Sequence, residues 1–175
     1  MRRWLIALGL VLVVLFCAYW FGVRNSTVKP HLKSLQAAST IGAGSDAIAV
    51  GVDGQILAWL PLSEERPLPS LPLSEAPEGG KLEGSVLQQA RVLGAAPAAL
   101  RPYLESSYYG ETGVDVKLRS GIELRFGDAS QATVKWKAAA AVLADPSITA
   151  LDYVDLHAPG RPAVGGSGHT LPPVE

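Results

Sequence analysis

Histidine and cysteine are the residue types best suited to metal binding and proton transfer, and this chain has few of them. Its histidines are His31, His157 and His169, and no two of them have the spacing of ligands in a metal-binding motif. Its single cysteine, Cys17, cannot form a disulfide or a thiolate metal site within one chain. We therefore expect no metal and no other cofactor.

A nucleophile paired with a base would indicate an enzyme, and the sequence has no motif for one. H-E-x-x-H, G-x-S-x-G and Walker sequences are absent. Ser130, in the sequence Gly-Asp-Ala-Ser, could be a nucleophile, but a helix N-cap explains it better. Glu64 and Glu65 lie in a proline-rich segment, where we expect solvent around them. The chain is therefore predicted not to be an enzyme, with no catalytic residues and no small-molecule substrate.

Composition excludes one class of partner and indicates another. The net charge of the 175-residue chain is −1 and it has no basic block, so nucleic acid is not an expected partner. Residues 4–23 carry no charge, and a helix of this length spans ~30 Å, the thickness of the hydrocarbon core of a bilayer. Aromatic residues match both membrane interfaces: Trp4 at one end, and Tyr19, Trp20 and Phe21 at the other.

The uncharged run predicts a transmembrane anchor after a cytoplasmic tail of residues 1–3, although a signal peptide has a similar pattern. The run is longer than the ~7–15 residues of a signal-peptide core, and no A-x-A cleavage site follows it. A lipoprotein signal would use Cys17, but Phe16 does not fit the small residue expected before it. Basic residues flank the run on both sides, so charge alone does not set its orientation.

The rest of the chain alternates strand and helix patterns, which predicts an α+β domain over residues 46–165 with helices packed on an antiparallel sheet. In order, the predicted elements are a linker (24–45), a hairpin (46–60), a proline-rich extended surface segment (61–77), a helix (85–94), a helical turn (97–104), a strand (103–109), a second hairpin (113–127), a helix (130–144) and a last strand (150–158). A disordered tail is expected over residues 166–175, which are rich in glycine and proline.

Local signals predict how the two helices begin and what they cover. Ser85 is expected to open the first helix in a capping box, and Asp128 or Ser130 to cap the second. Trp136 lies on the apolar stripe of the second helix and should cover the apolar face of the second hairpin, whereas Lys135 lies off that stripe.

The last predicted strand is a candidate binding surface, because it ends near the tail and could form the edge of the sheet. Exposed edges accept an added strand from a partner. Pro159 and Pro162 are equally consistent with an ordinary edge that proline blunts. The pair Tyr108 and Tyr109 is a second possible contact, although packing within the domain explains it better.

Three stretches of residues 46–166 together resemble the β domain of the FtsQ/DivIB bacterial cell-division proteins. The first is AIAVGVDGQILAWLP, followed by LPSLPL. The second, GVDVKLRSGIELRFGDASQATVKWKAAAAVL, is similar to the family's hairpin and its helix with a lysine, here Lys135. The third is ALDYVDLHAPGRPAV, in which Asp155 and Leu156 take the family's Asp-Leu-Arg position. The alanine-rich sequence is similar to that of high-GC, actinobacteria-like members.

The resemblance implies a non-enzymatic subunit of the divisome, anchored once in the cytoplasmic membrane at the division septum with its C-terminal domain outside (type II). Such a subunit binds FtsB- and FtsL-like bitopic partners and helps regulate septal peptidoglycan synthesis. The family's partner adds a strand beside the closing strand, which implies a binding site at Tyr153, Asp155, Leu156, His157, Ala158, Arg161, Ala163 and Val164.

The sequence departs from the family in two places. The POTRA domain that normally separates the anchor from the β domain is missing, and only residues 24–45 stand there. His157 replaces the family's usual arginine. Three alternatives follow: a membrane-anchored adaptor of another envelope complex, a degenerate FtsQ-like copy, or an envelope enzyme. The enzyme would need Ser130 or His157 in a concave site with a base.

Overall fold

The computed structural model describes residues 37–42, 46–62 and 68–171. The predicted anchor, residues 4–23, lies outside these ranges, and so does the end of the predicted tail. None of the helices formed by the described residues is long and apolar enough to cross a membrane.

The described strands form two sheets. The first is antiparallel with the order β1-β2-β3, and its strands are Ala37–Ile41, Ile48–Gly51 and Ile56–Leu57. The second has the order β4-β5-β6-β7-β8, and its strands are Leu104–Gly110, Gly113–Leu118, Glu123–Gly127, Ala150–Asp155 and Ala163–Thr170. Both predicted hairpins are confirmed, since β2 pairs with β3 and β5 with β6 in antiparallel fashion.

The two sheets are joined through Ser70, which lies in the proline-rich segment. Its N–H donates to the carbonyl of Glu105 (3.1 Å), and its carbonyl accepts from the N–H of Ser107 (3.1 Å). On the other side, the N–H of Leu71 donates to the carbonyl of Thr40 in β1 (2.8 Å). Around Ser70 the segment is therefore extended, as predicted, but there it runs between the two sheets instead of over the surface.

Two helices complete the core. α1 is Gly84–Gly94 and α2 is Ala132–Leu143, and a 3₁₀ helix, Arg101–Tyr103, precedes β4. Trp136 of α2 is fully buried, with its ring centroid 4.8 Å from that of Phe126 in β6. Its indole N–H donates to the carbonyl of Val92 in α1 (2.7 Å), so one side chain ties both helices to the sheet. The prediction that Trp136 covers the second hairpin is confirmed.

The α+β class is confirmed, but the second sheet is mixed and not antiparallel. β6 and β7 run parallel, with Leu124 opposite Val154. The chain reaches β7 from β6 through α2, and a strand–helix–strand crossover of this kind places the two strands side by side in the same direction.

Two segments expected to lack structure contain strands. Part of the predicted linker is β1, in which Ala38, Ser39, Thr40 and Ile41 are buried. Small polar residues hide the alternation that marks a strand, so the sequence pattern did not reveal it. Residues 166–170 of the predicted tail belong to β8, a strand whose glycines also suggest disorder.

The predicted helix caps are wrong. Glu83 and Gln131 occupy the N-cap positions, and neither side chain forms a cap hydrogen bond. Asp128 does not cap α2, because its carboxylate instead accepts from the N–H (3.0 Å) and hydroxyl (2.5 Å) of Ser130. The same carboxylate binds the ammonium of Lys135 (2.8 Å).

Candidate partner-binding edge

β8 forms one edge of the second sheet. Among the described residues it pairs only with β7, from Ala163 to Gly165 and again at His169 and Thr170. The edge strand of the first sheet, β3, is only two residues long, and a bridge between Gln55 and Lys81 flanks it. The N–H of Ile56 also donates to the carbonyl of Gly80 (3.1 Å). The other two edge strands, β1 and β4, both pair with Ser70. Among the described residues β8 is therefore the longest edge strand and the one better suited to accept another strand.

β7 was predicted to be the last strand and a possible edge, but it lies inside the sheet. Tyr153 pairs with Glu123 of β6 on one side and with Gly165 of β8 on the other. The backbone of β7 therefore already has a partner strand on both sides, and only its side chains can contribute to a binding surface.

A wide bulge interrupts the pairing of β7 with β8. Leu151 pairs with His169 and Tyr153 with Gly165, so three residues of β8 lie opposite Asp152 alone. The carboxylate of Asp152 accepts from the N–H of Gly168 (2.7 Å) and lies 3.1 Å from Nδ1 of His169. Asp152 thus fixes the bulge in place.

Glycines in β8 leave room for side chains from β7. A Cβ atom at Gly165 would lie 2.6 Å from Cε1, Cζ and Oη of Tyr153. A Cβ at Gly166, which also has a positive φ of 80°, would lie 2.0 Å from the carboxylate of Asp152, and one at Gly168 would lie 2.5 Å from it. Side chains of β7 therefore lie over the backbone of β8.

A polar network continues from this edge across the face of the sheet. The Arg125 guanidinium stacks on the ring of Tyr153, with Cζ 4.0 Å from the ring centroid. Its Nε donates to Glu123 (2.6 Å), and the hydroxyl of Tyr108 donates to the same carboxylate. Burial opposes ionisation of Glu123, but these two hydrogen bonds outweigh it and lower its pKa.

Asp115 is the buried carboxyl group of this network. One of its oxygens, Oδ1, has no hydrogen-bond partner among the described residues. Burial, and then the nearby charge of Glu123, raise the pKa of Asp115 to about 6. An unpaired buried carboxylate is costly, so this group favours its protonated form more than an exposed aspartate does.

His157 lies just after β7, beside a pocket of about 270 Å³. Its Nδ1 lies 2.7 Å from Asp155, and Nε2 lies 3.3 Å from the carbonyl of Thr112. The hydrogen bond to Asp155 raises the pKa of His157. The pocket is lined by Thr112, Asp128, Ser130, Gln131, Lys135, His157 and Pro159.

The pocket brings a serine, a histidine and a lysine together without forming a nucleophile–base pair. The Ser130 hydroxyl donates to Asp128, while Nε2 of His157 faces the Thr112 carbonyl. Lys135, predicted to lie off the apolar stripe, is 3% exposed. Its ammonium donates to the carbonyls of Phe126 (2.8 Å) and Asp128 (3.1 Å) and to the carboxylate of Asp128. Hydrogen bonds from Lys135 and Ser130 lower the pKa of Asp128 to about 2.

The predicted binding residues fall into three groups. Ala163 and Val164 lie exposed on β8, and Ala158 and Arg161 lie exposed in the loop before it. Tyr153 and Asp155 are partly exposed beside the edge and His157 is exposed, whereas Leu156 is fully buried and belongs to the core. Sequence reasoning missed Asp152, Gly165, Gly166, Gly168 and His169. For the four residues of β8 the only signal was a glycine-rich sequence, which also fits a tail, whereas Asp152 lies in the predicted last strand and was not singled out.

The open edge of β8 in this mixed α+β domain is a surface to which a partner strand can add. The family model described as cell division protein FtsQ/DivIB, C-terminal, matches residues 42–157. The match covers more than half of the chain, which therefore belongs to the FtsQ/DivIB family of cell-division proteins. The search of curated proteins gives no match. β8 begins after the matched residues, so its assignment rests on the structure.

Proposed function

We propose that this chain is a non-enzymatic scaffold of the divisome that binds extended segments of FtsB- and FtsL-like partners along β8. The observation that carries the proposal is the exposed eight-residue edge of β8. Main-chain hydrogen bonds to that edge would supply affinity, and nearby side chains would supply specificity. Through these contacts the scaffold would help regulate septal peptidoglycan synthesis.

The side chains nearest to the edge are suited to this role. Val164 pairs with the buried Val154, so its side chain points to the apolar side of the sheet. An added strand would cover Val164, which is 46% exposed. Tyr153, Asp155 and His157 lie close to the opposite face of the edge and would contact the alternate side chains of the partner.

The proposal includes a single membrane anchor at residues 4–23, with the C-terminal domain outside the cytoplasmic membrane. Trp4, Tyr19, Trp20 and Phe21 would mark its two interfaces. An anchor in the same bilayer as bitopic partners raises their effective concentration, so a modest affinity at β8 would be sufficient.

A charge at Val164 tests this function. We expect Val164→Asp to weaken binding of the full chain to the host's FtsB-like protein by at least tenfold, because the added strand would bury the carboxylate without a partner. The measurement is a titration in detergent that follows binding by fluorescence anisotropy.

Val134 provides a matched control for the same substitution. It lies on α2, away from the edge, and is 49% exposed. Val134→Asp should bind within about twofold of the unsubstituted chain. Equal binding by the Val164 variant would exclude strand addition at β8, and an absence of binding by the unsubstituted chain would exclude this partner.

A further inference from the structure

The outer face of β8, on the side opposite the helices, has almost no side chains of its own. Ala163 and Gly165 occupy this face, opposite Asp155 and Tyr153 of β7. The bulge that follows contains two more glycines, Gly166 and Gly168. On this face, a strand added to β8 would therefore lie beside a strand with almost no side chains. The nearest large side chains would be those of β7, on the far side of β8.

Tyr153 and Asp152 extend across β8 toward the added strand. The hydroxyl of Tyr153 occupies the position where a Cβ of Gly165 would lie, and the carboxylate of Asp152 does the same at Gly166. Neighbouring strands are only ~4.8 Å apart, so side chains that already reach over β8 lie close to the next strand.

These side chains present acceptors at the edge. Asp155 and Asp152 are 40% and 45% exposed at the side chain, and each uses Oδ1 for hydrogen bonds within the chain. Among the described residues, the Oδ2 atoms and the hydroxyl of Tyr153 have no hydrogen-bond partner. Asp152, Tyr153 and Asp155 thus offer two carboxylate oxygens and one aromatic hydroxyl, and Tyr153 and Asp152 lie over the glycines of β8.

The guanidinium that stacks on Tyr153 is already paired with a carboxylate. Arg125 belongs to β6, on the side of Tyr153 away from β8, and its Nε donates to Glu123 at 2.6 Å. His157 and His169 contact Oδ1 of the two aspartates and leave the Oδ2 atoms open. An acidic side chain on the partner would meet two carboxylates, whereas a basic one would be attracted by both.

We propose that the strand added to β8 carries a lysine or arginine opposite Gly165, and that Asp152, Tyr153 and Asp155 recognise this side chain across β8. The inference rests on the proposed function, because it concerns the partner that binds to the same edge. A long, flexible basic side chain crosses the bare backbone of β8 and places its donors against the Oδ2 atoms and the hydroxyl.

The test compares charge removal at the edge with the same charge removal elsewhere. Asp152→Asn with Asp155→Asn keeps an acceptor for Gly168 and His157 but removes both charges. We expect the full chain with these two substitutions to bind the host's FtsB-like protein about tenfold more weakly, with less dependence on salt concentration. Tyr153→Phe alone should weaken binding about threefold, because it removes one hydrogen-bond acceptor.

Glu83→Gln with Glu105→Gln is the matched control. It removes two charges near the start of α1 and on β4, which lies at the opposite end of the second sheet. This control should bind within about twofold of the unsubstituted chain.

The outcomes separate the inference from the function it rests on. If the double asparagine variant binds as tightly as the unsubstituted chain or more tightly, and Val164→Asp abolishes binding, strand addition stands and the basic side chain is excluded. If Val164→Asp has no effect, the binding edge itself is excluded and the inference falls with it. A charge swap adds a positive result. Replacing the basic residue of the partner with glutamate should abolish binding, and Asp155→Lys in this chain should restore binding to that partner variant.

Discussion

Lys135 shows how a charged side chain can become part of the interior. Its ammonium has three protons, and its three acceptors are the carbonyls of Phe126 and Asp128 and the carboxylate of Asp128. These bonds join the start of α2 to the end of β6. The lysine is therefore a structural residue that fixes the wall of the pocket beside His157.

Replacing Lys135 with methionine keeps the aliphatic stem but leaves the two carbonyls without their donor. We expect Lys135→Met to lower the free energy of unfolding by about 2 kcal/mol, measured by urea denaturation. Lys137 lies on the same helix and is exposed, so Lys137→Met is the matched control and should change stability by less than about 0.5 kcal/mol. Equal losses in the two variants would contradict the role assigned to Lys135.

Asp115 makes stability depend on pH in the opposite direction to most aspartates. Its pKa is raised in the folded chain to about 6, so the folded state binds a proton more tightly than the unfolded state. Its contribution to stability is complete below pH ~4 and is lost as the pH rises through about 6. Asp115→Asn should remove this loss. Between pH 4 and pH 7, the free energy of unfolding of the variant should therefore change more favourably than that of the unsubstituted chain, by about 1–2 kcal/mol.

Thermal unfolding across pH 4–8 would measure this difference. Glu111→Gln, an exposed substitution in the turn between β4 and β5, removes one carboxylate as a control and should leave the pH profile unchanged. A profile for Asp115→Asn that parallels the unsubstituted chain would show that Asp115 titrates normally.

At the scale of the element, the packing of β8 depends on the side chains of β7 that lie over its backbone. Gly165 has room only for a hydrogen, because the ring of Tyr153 occupies the position of its side chain. We expect Gly165→Ala to lower the free energy of unfolding by about 1–3 kcal/mol, since either the ring or the strand must move. Hydrogen exchange should show the loss of protection concentrated in β7 and β8.

Gly160 supplies the control for that substitution. A Cβ at Gly160 has no atom within 4 Å, and the residue lies in the loop just before β8. Gly160→Ala should therefore be neutral or slightly stabilising. If Gly165→Ala were equally harmless, the ring of Tyr153 would not lie over Gly165, and its proposed contact with an added strand would be excluded.

The elements that could be predicted from the sequence are those with strong periodicity. The hairpin of β5 and β6 and the helix with Trp136 were predicted because apolar residues alternate or recur along them. β1 and β8 were not, because alanine, serine, threonine and glycine carry no alternation even where they are buried or paired. The cap of α2 was missed because Asp128 bonds to Lys135 and Ser130, and the bond to Lys135 is a contact that a local capping rule does not include.

At the scale of the whole molecule, the least predictable feature is the join between the two sheets. Nothing in the spacing of five prolines indicates that Ser70 will pair with both β1 and β4. The open edge was predicted only in its general position, since the resemblance implied a partner site near residues 153–164, whereas the edge strand of the structure is β8. Side chains of β7 lie over the glycines of this strand, which the sequence pattern did not reveal.

The join at Ser70 also determines how the domain would respond to mechanical load. In the described chain, β1 comes first and β8 last, and they lie on opposite sides of this join in the order of the strands. Tension applied between β1 and β8 would pull across the strands, so their hydrogen bonds would open one after another, as a zipper does, instead of resisting together in shear. Among the described residues, the backbone hydrogen bonds of the join on the β4 side are those of Ser70 with Glu105 and Ser107, so such a pull would load these two bonds together with the packing of α1 against both sheets.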